Sequence, residues 1–341
     1  MDNIEIYREK INLALKEFLD KKLKEDGKYS PKIKELILNV IDYNMRGGKR
    51  IRPVTIVFAY KCFNDLDEEE IIKAAISLEL MQAYLLIHDD IMDKSDLRRG
   101  GETIHKIYGK ENEDFGINMA ILAGDLCASY TYDSIIESGF PDKEKSNAIK
   151  YLGWIINREI YGQTLDIIPG FDKLSEDDVF KIYELKTATY TVQGPVYLGC
   201  VLSDAPNEKI QKLQEYSKNL GIAFQIQDDL NGIFTDVEKL GKPNDSDIKE
   251  GKKTLIIVKT LELCSDLDKE FLLKEYGNKN VTGESIDKIR RIIKDCGAYD
   301  YCLDKFKELI TESKKSIAEV ELLEEGKKYL LEMADYIGGL F

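Results

Sequence analysis

The sequence predicts an all-α protein, a single-domain bundle of long helices around a central cavity, from three observations. First, the seven prolines leave residues 54–140 and 244–341 without one, which suits long helices and few turns. Second, apolar residues between Glu68 and Asp93 recur at intervals of three and four, the period of one helix face. Third, the alternation typical of strands is scarce and short. We therefore expect one helical domain over residues 1–341, long enough for a sizeable core and a deep cavity.

The same apolar spacing marks the later helices of the chain. It predicts helices near residues 116–138, 144–164, 175–201 and 208–231, with shorter ones towards the C-terminus. No fixed-period repeat, low-complexity tract or Ser/Gly-rich linker indicates a domain boundary. The pattern therefore favours a single domain.

Charge and cysteine content exclude several classes of protein. The chain has 63 acidic and 49 basic side chains, and its net charge of −14 repels nucleic acid and anionic membrane surfaces. The six cysteines form no C-x-x-C pair, and the two histidines cannot complete a zinc site at ligand spacing. The N-terminus resembles neither a secretory signal nor a transit peptide, and no apolar run approaches the ~20 residues that span a bilayer. We expect a soluble, cytoplasmic protein with no transmembrane segment.

A basic loop lies between two predicted helices, at Arg46–Pro53. Its glycines end one helix and its proline begins the next, as helix punctuation predicts. It also carries four cations in seven residues. A charge run alone is typical of a solvated face, so the role of this loop depends on the anions found elsewhere in the chain.

The first acidic cluster ends a strongly apolar helix. Asp89 and Asp93 are four residues apart, so they project from the same helix face and can share one or two metal ions. Their repulsion costs about a few tenths of a kcal/mol, and acids near a helix C-terminus also oppose the helix dipole. A hard divalent cation would offset both costs. A solvated acidic helix end is the alternative.

The second acidic cluster is Asp228 and Asp229, in another apolar helical segment. The residue four after Asp228 is Gly232, and Asn231-Gly232 indicates a helix end or turn, so a metal site here has fewer carboxylates. Carboxylates repel phosphates by roughly 4 kcal/mol per unit pair near 4 Å at an effective dielectric of about 20. Mg²⁺ reverses that sign because it commonly joins one or two protein carboxylates to substrate phosphates. Two such segments facing one another, with cations such as Arg98 nearby, predict a trap for a diphosphate.

Seven sequence blocks, in family order, resemble the trans-prenyl diphosphate synthases, which include farnesyl and geranylgeranyl diphosphate synthases. The blocks are GGKRIRP (47–53), MQAYLLIHDDIMDKSDLRRG (81–100), NMAILAGD (118–125), GQTLD (162–166), Lys186-Thr187, FQIQDD (224–229) and GKPNDSDIKEGKKT (241–254). An isolated D-D-x-x-D is weak evidence, whereas seven ordered blocks are specific. The likeness implies the isoprenoid synthase type of all-α fold.

The resemblance implies a metal site built from both acidic clusters. Asp89 and Asp93 would hold Mg²⁺ from one wall and Asp228 from the other, with three ions in each active site. Asp90 and Asp229 would support them. Bound Mg²⁺ and nearby cations would stabilise the charge that builds on the departing pyrophosphate.

The resemblance also implies separate sites for two diphosphate substrates. The allylic diphosphate would make charge-assisted contacts with Arg98, Lys186 and Lys252, and Lys242 is a further substrate-binding position. Isopentenyl diphosphate would bind without metal at Lys49, Arg52, Gln82 and Arg99.

The implied reaction proceeds by ionisation, condensation and elimination. The double bond of isopentenyl diphosphate attacks the allylic cation, and the released pyrophosphate removes the final proton. Thr187, Gln225 and the backbone near Lys186 would steady the cation, so no side chain needs to be a general base. The implied catalytic residues are Asp89, Asp93, Arg98, Lys186, Thr187, Gln225 and Asp228. Family precedent also implies a homodimer.

Product length should depend on the residues one to two turns before Asp89, where the growing chain enters an apolar tunnel. Tyr84 would narrow the tunnel, and Leu85 is smaller than the paired aromatics typical of farnesyl-type enzymes, so we expect a C20 product ahead of C15. Dimethylallyl, geranyl and farnesyl diphosphates are all candidate starters. The alternative is that Tyr84 packs in the core.

Gly232 is the main departure from the family pattern, since the second motif normally has a third aspartate there. The usual metal ligand of that motif, Asp228, is kept, so the change bears on rate and Mg²⁺ affinity rather than on activity itself. The first motif has no extra residues between Asp90 and Asp93, as in archaeal and eukaryotic members. Two alternatives stay open: a terpene synthase on the same scaffold, and a weakly active regulatory subunit of a heterodimeric synthase.

Overall fold

A computed structural model describes residues 2–65, 68–168, 170–234 and 245–339, and these residues are mainly helical. In chain order the α-helices are α1 Asp2–Asp26, α2 Pro31–Met45, α3 Ile51–Lys61, α4 Glu69–Ala75, α5 Ser77–Met92, α6 Ile104–Tyr108, α7 Glu113–Ile136, α8 Asp142–Ile167, α9 Glu176–Ile182, α10 Gly194–Leu202, α11 Asn207–Phe234, α12 Ser246–Glu250, α13 Leu255–Leu263, α14 Asp266–Glu275, α15 Gly283–Asp295, α16 Ala298–Ala318 and α17 Glu324–Gly338. The predicted all-α class is confirmed.

Four further elements complete the described part of the chain. Strands β1 Leu97–Arg98 and β2 Gly101–Glu102 pair antiparallel, with Arg98 opposite Gly101. A 3₁₀ turn covers Phe171–Lys173, and a π-helix covers Tyr183–Gln193. The hairpin and the π-helix each carry residues that the sequence predicts to bind substrate.

The first of two compact units comprises Met1–Tyr151, Pro195–Ala205 and Leu322–Leu330. In it α5 packs against α7, α2 and α3, and α1 packs against α2, α3 and α4. The apolar face of α5 is fully buried at Leu78 and Met81, as its three-and-four spacing predicts. This packing fixes the helix that ends in the first acidic cluster.

Helix caps set where the neighbours of α5 begin. The Ser30 hydroxyl accepts a hydrogen bond from the Ile33 N–H at 3.1 Å, and Pro31 occupies the first turn of α2. Asn112 caps α7 in the same way, accepting from the Phe115 N–H at 3.1 Å. These local signals agree with the tertiary packing.

The helix predicted between Glu68 and Asp93 is present as α4 and α5, which meet at Ile76. The N–H groups of Glu79 and Leu80 both donate to the Ile76 carbonyl at 3.0 Å, so helical hydrogen bonding continues across the junction. The apolar periodicity runs through the junction, and Ile71 and Ala75 on one side of it and Leu78 and Met81 on the other are fully buried. The segment predicted as one helix is therefore two consecutive helices, and both are buried in the core.

By length and composition alone, one stretch of the described chain, Glu69–Met92, is apolar enough to cross a membrane. Charged residues such as Glu79 interrupt it, so it is not an unbroken apolar run. In its most apolar window, 67% is buried inside the protein, as in a core helix.

The second compact unit comprises Leu152–Gly194, Pro206–Glu321 and Leu331–Phe341. Here α11 packs against α16 and against the π-helix. Gly221 permits the close approach to the π-helix, since a Cβ there would lie 2.6 Å from the Cα of Ala188. The second acidic cluster lies on this helix.

The helix predicted over residues 175–201 contains a change of helix type. Ser175 begins α9 with a capping box, but the backbone from Tyr183 onward is π-helical until α10 begins. At its end the N–H of Gly194 donates to the carbonyl of Thr189, five residues back. Mid-helix π segments often occur at functional sites.

Candidate active site

The first acidic cluster lies at the C-terminal end of α5, as the sequence predicted. Asp89 is half-buried in the last turn, and Asp93 follows the helix and is exposed. The N–H of Asp93 donates to the carbonyl of Asp89 at 2.8 Å, so the two residues are one helical turn apart. Two carboxylates at this spacing can bind a divalent cation together.

Asp90 is engaged differently from its neighbours, because it is buried with 1% of its surface exposed. Its Oδ2 accepts a hydrogen bond from the Tyr43 hydroxyl at 2.7 Å, and its Oδ1 accepts from Arg98 Nε at 2.9 Å and Nη2 at 2.5 Å. Burial, and then the charge of Asp90, raises the pKa of Tyr43 far above its ordinary value, so the phenol remains the donor. Asp90 thus holds Arg98, whose side chain is still 31% exposed.

Some cations of the basic loop bind other parts of the fold, and others are exposed to solvent. Arg50 is buried, forms an ion pair with Glu79 and donates to the Asn44 carbonyl at 2.7 Å. Arg46 donates to the Glu102 carbonyl in the hairpin at 2.8 Å. Two of the four cations are therefore structural, a role that the charge run alone did not reveal.

The predicted isopentenyl diphosphate residues all lie in the first unit. Lys49 and Arg99 are exposed, and Arg52 and Gln82 are half-buried. Arg99 donates from Nη1 to the Gly47 carbonyl at 2.7 Å, which ties the hairpin to the basic loop. Their role in binding a diphosphate stays a prediction.

The predicted chain-length residues lie on α5, about one turn before the first acidic cluster. Tyr84 and Leu85 are half-buried, and the Tyr84 ring lies edge-on to the His88 ring with centroids 5.0 Å apart. His88 packs on Gly124 of α7, where a Cβ would be 2.5 Å from its Cδ2. Tyr84 thus packs on a histidine that contacts α7 near the acidic cluster, and its part in product length stays a prediction.

The second unit contains a cavity of about 220 Å³ that gathers most of the remaining predicted residues. It is lined by Asp166, Ile182, Tyr183, Lys186, Thr187, Gln225, Asp228, Asp229, Lys252, Lys253 and Thr254. Three lysines, several neutral hydrogen-bonding side chains and an exposed carboxylate, Asp228, therefore line one space. Lys242 lies outside the described residues.

A chain of hydrogen bonds orients the polar wall of this cavity. The Thr187 hydroxyl donates to Gln225 Oε1 at 2.5 Å, and Gln225 Nε2 donates to Asp229 Oδ1 at 2.7 Å. The Tyr183 hydroxyl donates to the other oxygen of Asp229 and accepts from the Leu255 N–H at 2.7 Å. Both ends of the Gln225 amide are fixed in this way.

Asp229 is buried at 4% exposure, and burial raises the pKa of its carboxyl to about 8. Hydrogen bonds from Tyr183 and Gln225 oppose that shift, whereas the charge of Asp228 adds to it. Asp229 therefore supports the site through its hydrogen bonds. The sequence predicted a supporting role for Asp229. It predicted none for Tyr183, which lies outside the recognised motifs.

Lys186 is held by a carboxylate for which the sequence motifs predicted no role. Its Nζ lies 2.5 Å from Asp166 Oδ2, and both side chains are about one-third exposed, at 30% and 31%. Lys253 in turn donates to the carbonyls of Leu165 and Asp166 at 2.7 and 2.8 Å. The only signals for these partners were the GQTLD block and the position of Lys253 beside Lys252.

The end of α11 differs from the expectation of a turn at Asn231-Gly232. The helix continues through Gly232 to Phe234, and Arg290 Nε donates to the Ile233 carbonyl at 2.8 Å. This cap satisfies a carbonyl of the last turn, so the glycine need not end the helix. Because position 232 is a glycine, α11 still offers one carboxylate fewer than the family pattern at this cluster.

The donor set fits Mg²⁺ better than a closed protein cage. Among the residues that the structure describes, no three His, Cys, Asp or Glu side chains group as a metal site. Mg²⁺ commonly takes one or two carboxylates and completes its shell with water and substrate phosphates. The Asp89–Asp93 pair and the exposed Asp228 are donor sets of that size.

Comparisons with known proteins agree with the resemblance in the sequence. A family model described as polyprenyl synthetase matches residues 34–294. A short chain isoprenyl diphosphate synthase of Methanocaldococcus jannaschii is 37% identical over 287 residues, covering 84% of this chain and 81% of that protein. A geranylgeranyl diphosphate synthase of Saccharolobus solfataricus is 34% identical over 293 residues, covering 83% of this chain and 85% of that protein.

Solved structures give the same result. A geranylgeranyl pyrophosphate synthase from Corynebacterium glutamicum, in a crystal structure with isoprenyl diphosphate and magnesium, aligns with a TM-score of 0.89 and 28% identity. The alignment covers 97% of this chain and 98% of that one. The matched family region includes both acidic clusters and the Lys186-Thr187 pair. This chain belongs to the polyprenyl synthetase family.

Proposed function

We propose that this protein is a Mg²⁺-dependent prenyltransferase that condenses isopentenyl diphosphate with an allylic diphosphate to give a short-chain trans-prenyl diphosphate. The observation that carries the proposal is the 220 Å³ cavity, where Lys186 and Lys252 share one space with Thr187, Gln225 and Asp228. Cations suit a diphosphate, and oriented neutral dipoles suit a carbocation. The names of the relatives support the same substrate class.

Lys186 and Lys252 would bind the diphosphate of the allylic substrate. Each is already paired with a carboxylate, at 2.5 Å from Asp166 and from Asp247 respectively. Such pairing orders a long flexible side chain before substrate arrives, which lowers the entropy lost on binding. Bound Mg²⁺, which we propose as three ions held by Asp89, Asp93 and Asp228, would supply further positive charge against the leaving pyrophosphate.

Thr187 and Gln225 would stabilise the allylic cation once pyrophosphate departs. Because the amide nitrogen of Gln225 is bound to Asp229, its oxygen points towards Thr187 at the cavity wall. Oxygen dipoles that are fixed before the reaction stabilise developing positive charge without reorganising. The hydrogen-bond chain therefore has a catalytic reason to be rigid.

The second substrate would bind at Lys49, Arg52, Gln82 and Arg99, and Arg98 would contact the allylic diphosphate. We propose a C20 product ahead of C15, with Tyr84 and Leu85 setting its length. A homodimer and a cytoplasmic location complete the proposal. They rest on the family resemblance and on the reduced state expected of the cysteines.

The direct test is a product assay. Purified protein is incubated with Mg²⁺, isopentenyl diphosphate and dimethylallyl, geranyl or farnesyl diphosphate in turn, and the product chain length is measured. Elongation in at least one reaction, abolished by a chelator, is the expected result. Cyclic or alcohol products without isopentenyl incorporation would favour a terpene synthase, and turnover only with a second chain would favour a regulatory subunit.

A pair of matched variants links the activity to the cavity. Lys186→Met removes a cation that lines it, whereas Lys181→Met removes an exposed cation from the preceding turn. We expect the first to lower kcat/KM by about 10²-fold or more and the second to leave it unchanged. If both variants lower kcat/KM equally, the activity does not depend on this cavity.

A further inference from the structure

Gly232 lies where a side chain would collide with a buried carboxylate. It is a buried residue of α11, and a Cβ built on it would be 3.0 Å from the Cγ of Asp247 and closer still to Oδ2. The Asp247 carboxylate therefore fills the space that any side chain at position 232 would occupy. The carboxylate in that space comes from α12, whereas the family pattern has an aspartate at position 232 itself.

Asp247 binds the cavity residue Lys252. It is 1% exposed, and its Oδ1 lies 2.5 Å from Lys252 Nζ. The Lys252 N–H also donates to the Asp247 carbonyl at 3.1 Å, and the Lys252 carbonyl accepts from the Tyr276 hydroxyl at 2.7 Å. Burial disfavours the ammonium form of Lys252, but the Asp247 charge more than offsets it and raises its pKa.

The turn that brings these two residues together depends on a glycine. Gly251 has φ +68°, in the left-handed region, and so reverses the chain directly before Lys252. Residues five apart do not share a face of a regular helix, so this turn, rather than helical spacing, makes the ion pair. The Asp247–Lys252 ion pair therefore depends on the turn at Gly251, between α12 and α13.

We propose that Asp247 is a positioning residue for Lys252, and that glycine at position 232 leaves the space that the Asp247 carboxylate occupies. The inference rests on the proposed function, in which Lys252 binds the allylic diphosphate. It also reverses the simplest expectation for Gly232, since restoring an aspartate there should impair the enzyme. An aspartate at position 232 would clash with the Asp247 carboxylate and would also repel its negative charge.

The sign of the effect makes Gly232→Ala a sharp test. In an ordinary helix interior, glycine is less favourable than alanine, so Gly→Ala normally stabilises. Here we expect Gly232→Ala to raise KM for the allylic diphosphate by about tenfold, since a displaced Lys252 must be ordered on binding. Gly232→Asp should raise it further, and KM for isopentenyl diphosphate should change less than about twofold in both, because Lys252 is assigned only to the allylic diphosphate.

A double-variant cycle tests whether the effect passes through Asp247. Asp247→Ala alone should raise the allylic KM about tenfold, and adding Gly232→Ala to it should have little further effect, because the collision is already gone. Gly153→Ala is the matched control, as Gly153 is a helical glycine whose Cβ would meet nothing within 4 Å. We expect that control to keep both KM values and to melt at or above the wild-type temperature.

Three results would overturn the positioning role. These are an unchanged allylic KM in Gly232→Ala, effects of Gly232→Ala and Asp247→Ala that multiply in the double variant, or an equal rise in both KM values.

Affinity for inorganic pyrophosphate in Mg²⁺ buffer, measured by calorimetry, tests the positioning role separately from the proposed function. A wild-type protein that binds pyrophosphate without turnover would refute the proposed function, and weaker binding by Gly232→Ala would still support the role of Asp247. If the wild-type protein binds no pyrophosphate, both ideas are wrong.

Discussion

The carboxylate of Asp90 holds the guanidinium of Arg98 through two hydrogen bonds to one oxygen, at 2.9 and 2.5 Å. Asp90 is the buried member of the first acidic cluster, and Arg98 lies on the short hairpin that follows α5. The pair therefore fixes a predicted substrate-binding cation to the same helix that carries Asp89. Tyr43 occupies the other oxygen at 2.7 Å.

Asp90→Asn should impair substrate binding more than metal binding. Losing the charge that holds Arg98 should lower kcat/KM for the allylic diphosphate by about 10- to 100-fold, while the Mg²⁺ concentration for half-maximal rate changes less than about twofold. Tyr43→Phe removes one neutral donor and should cost about fivefold. Steady-state kinetics at varied Mg²⁺ measures both quantities. A large rise in the Mg²⁺ requirement of Asp90→Asn would instead make Asp90 a metal ligand.

Asp89→Ala should separate activity from folding. Asp89 and Asp93 are like charges one turn apart, so removing one relieves a repulsion of about a few tenths of a kcal/mol and should not destabilise α5. Turnover should nevertheless fall by about 10²–10³-fold, because metal-held charge at the leaving group is lost. Asp96→Ala, at an exposed carboxylate paired with Lys106, is the control and should keep its activity. Near wild-type turnover in Asp89→Ala would show that the metal assignment is wrong.

Tyr84→Ala should lengthen the product, since it removes a ring that we expect to narrow the tunnel. The ring is half-buried and held edge-on to His88 at 5.0 Å, one turn before the acidic cluster. Chromatography of the products from farnesyl diphosphate should show chains longer than C20. Tyr29→Ala, at a tyrosine that is 70% exposed, should leave the distribution unchanged. An unchanged distribution in Tyr84→Ala as well would place the floor of the tunnel elsewhere.

The helices were predictable because apolar side chains at helical spacing are buried in the core. The segment predicted at 208–231 is Asn207–Phe234, and that at 116–138 is Glu113–Ile136. The π-helix was not, since α- and π-helical turns show similar apolar spacing over so short a stretch. The close packing of Gly194 on Ile155, with a Cβ 2.8 Å from Cδ1, is a tertiary contact that no local pattern encodes.

The cations of the candidate site were predictable from motifs, but their partners were not. All four residues stand in recognised blocks, but the pairing of Lys186 with Asp166 and of Lys252 with Asp247 depends on contacts made by the fold. Asp247 lies five residues before Lys252, a spacing that indicates no shared helix face. Ion pairs that depend on a turn become visible only in the structure.

His105 should make stability fall as the pH falls. Burial, and then the charge of Lys106, lowers the pKa of this histidine, whereas Asp90, Asp96 and Glu113 oppose the shift. The unfolded chain, with an ordinary pKa of about 6.5, takes up the proton first, so stability present above that pH is lost below it. His105→Gln removes this titration. Urea unfolding at pH 7.5 and 5.5 should therefore show a smaller loss for His105→Gln than for wild type, and equal losses would contradict the lowered pKa.

Lys253 caps the C-terminal end of α8 with its ammonium group. The side chain is 8% exposed, and its Nζ donates to the carbonyls of Leu165, Asp166 and Ile168. Carbonyls at a helix end lack intrahelical partners, so Lys253→Met should destabilise the protein by about 2–3 kcal/mol. Because Asp166 also holds Lys186, KM for the allylic diphosphate should rise several-fold. Lys274→Met, at a lysine whose side chain is 81% exposed, is the control and should change stability by less than about 0.5 kcal/mol. If urea unfolding gives both variants wild-type stability, the cap contributes nothing to the fold.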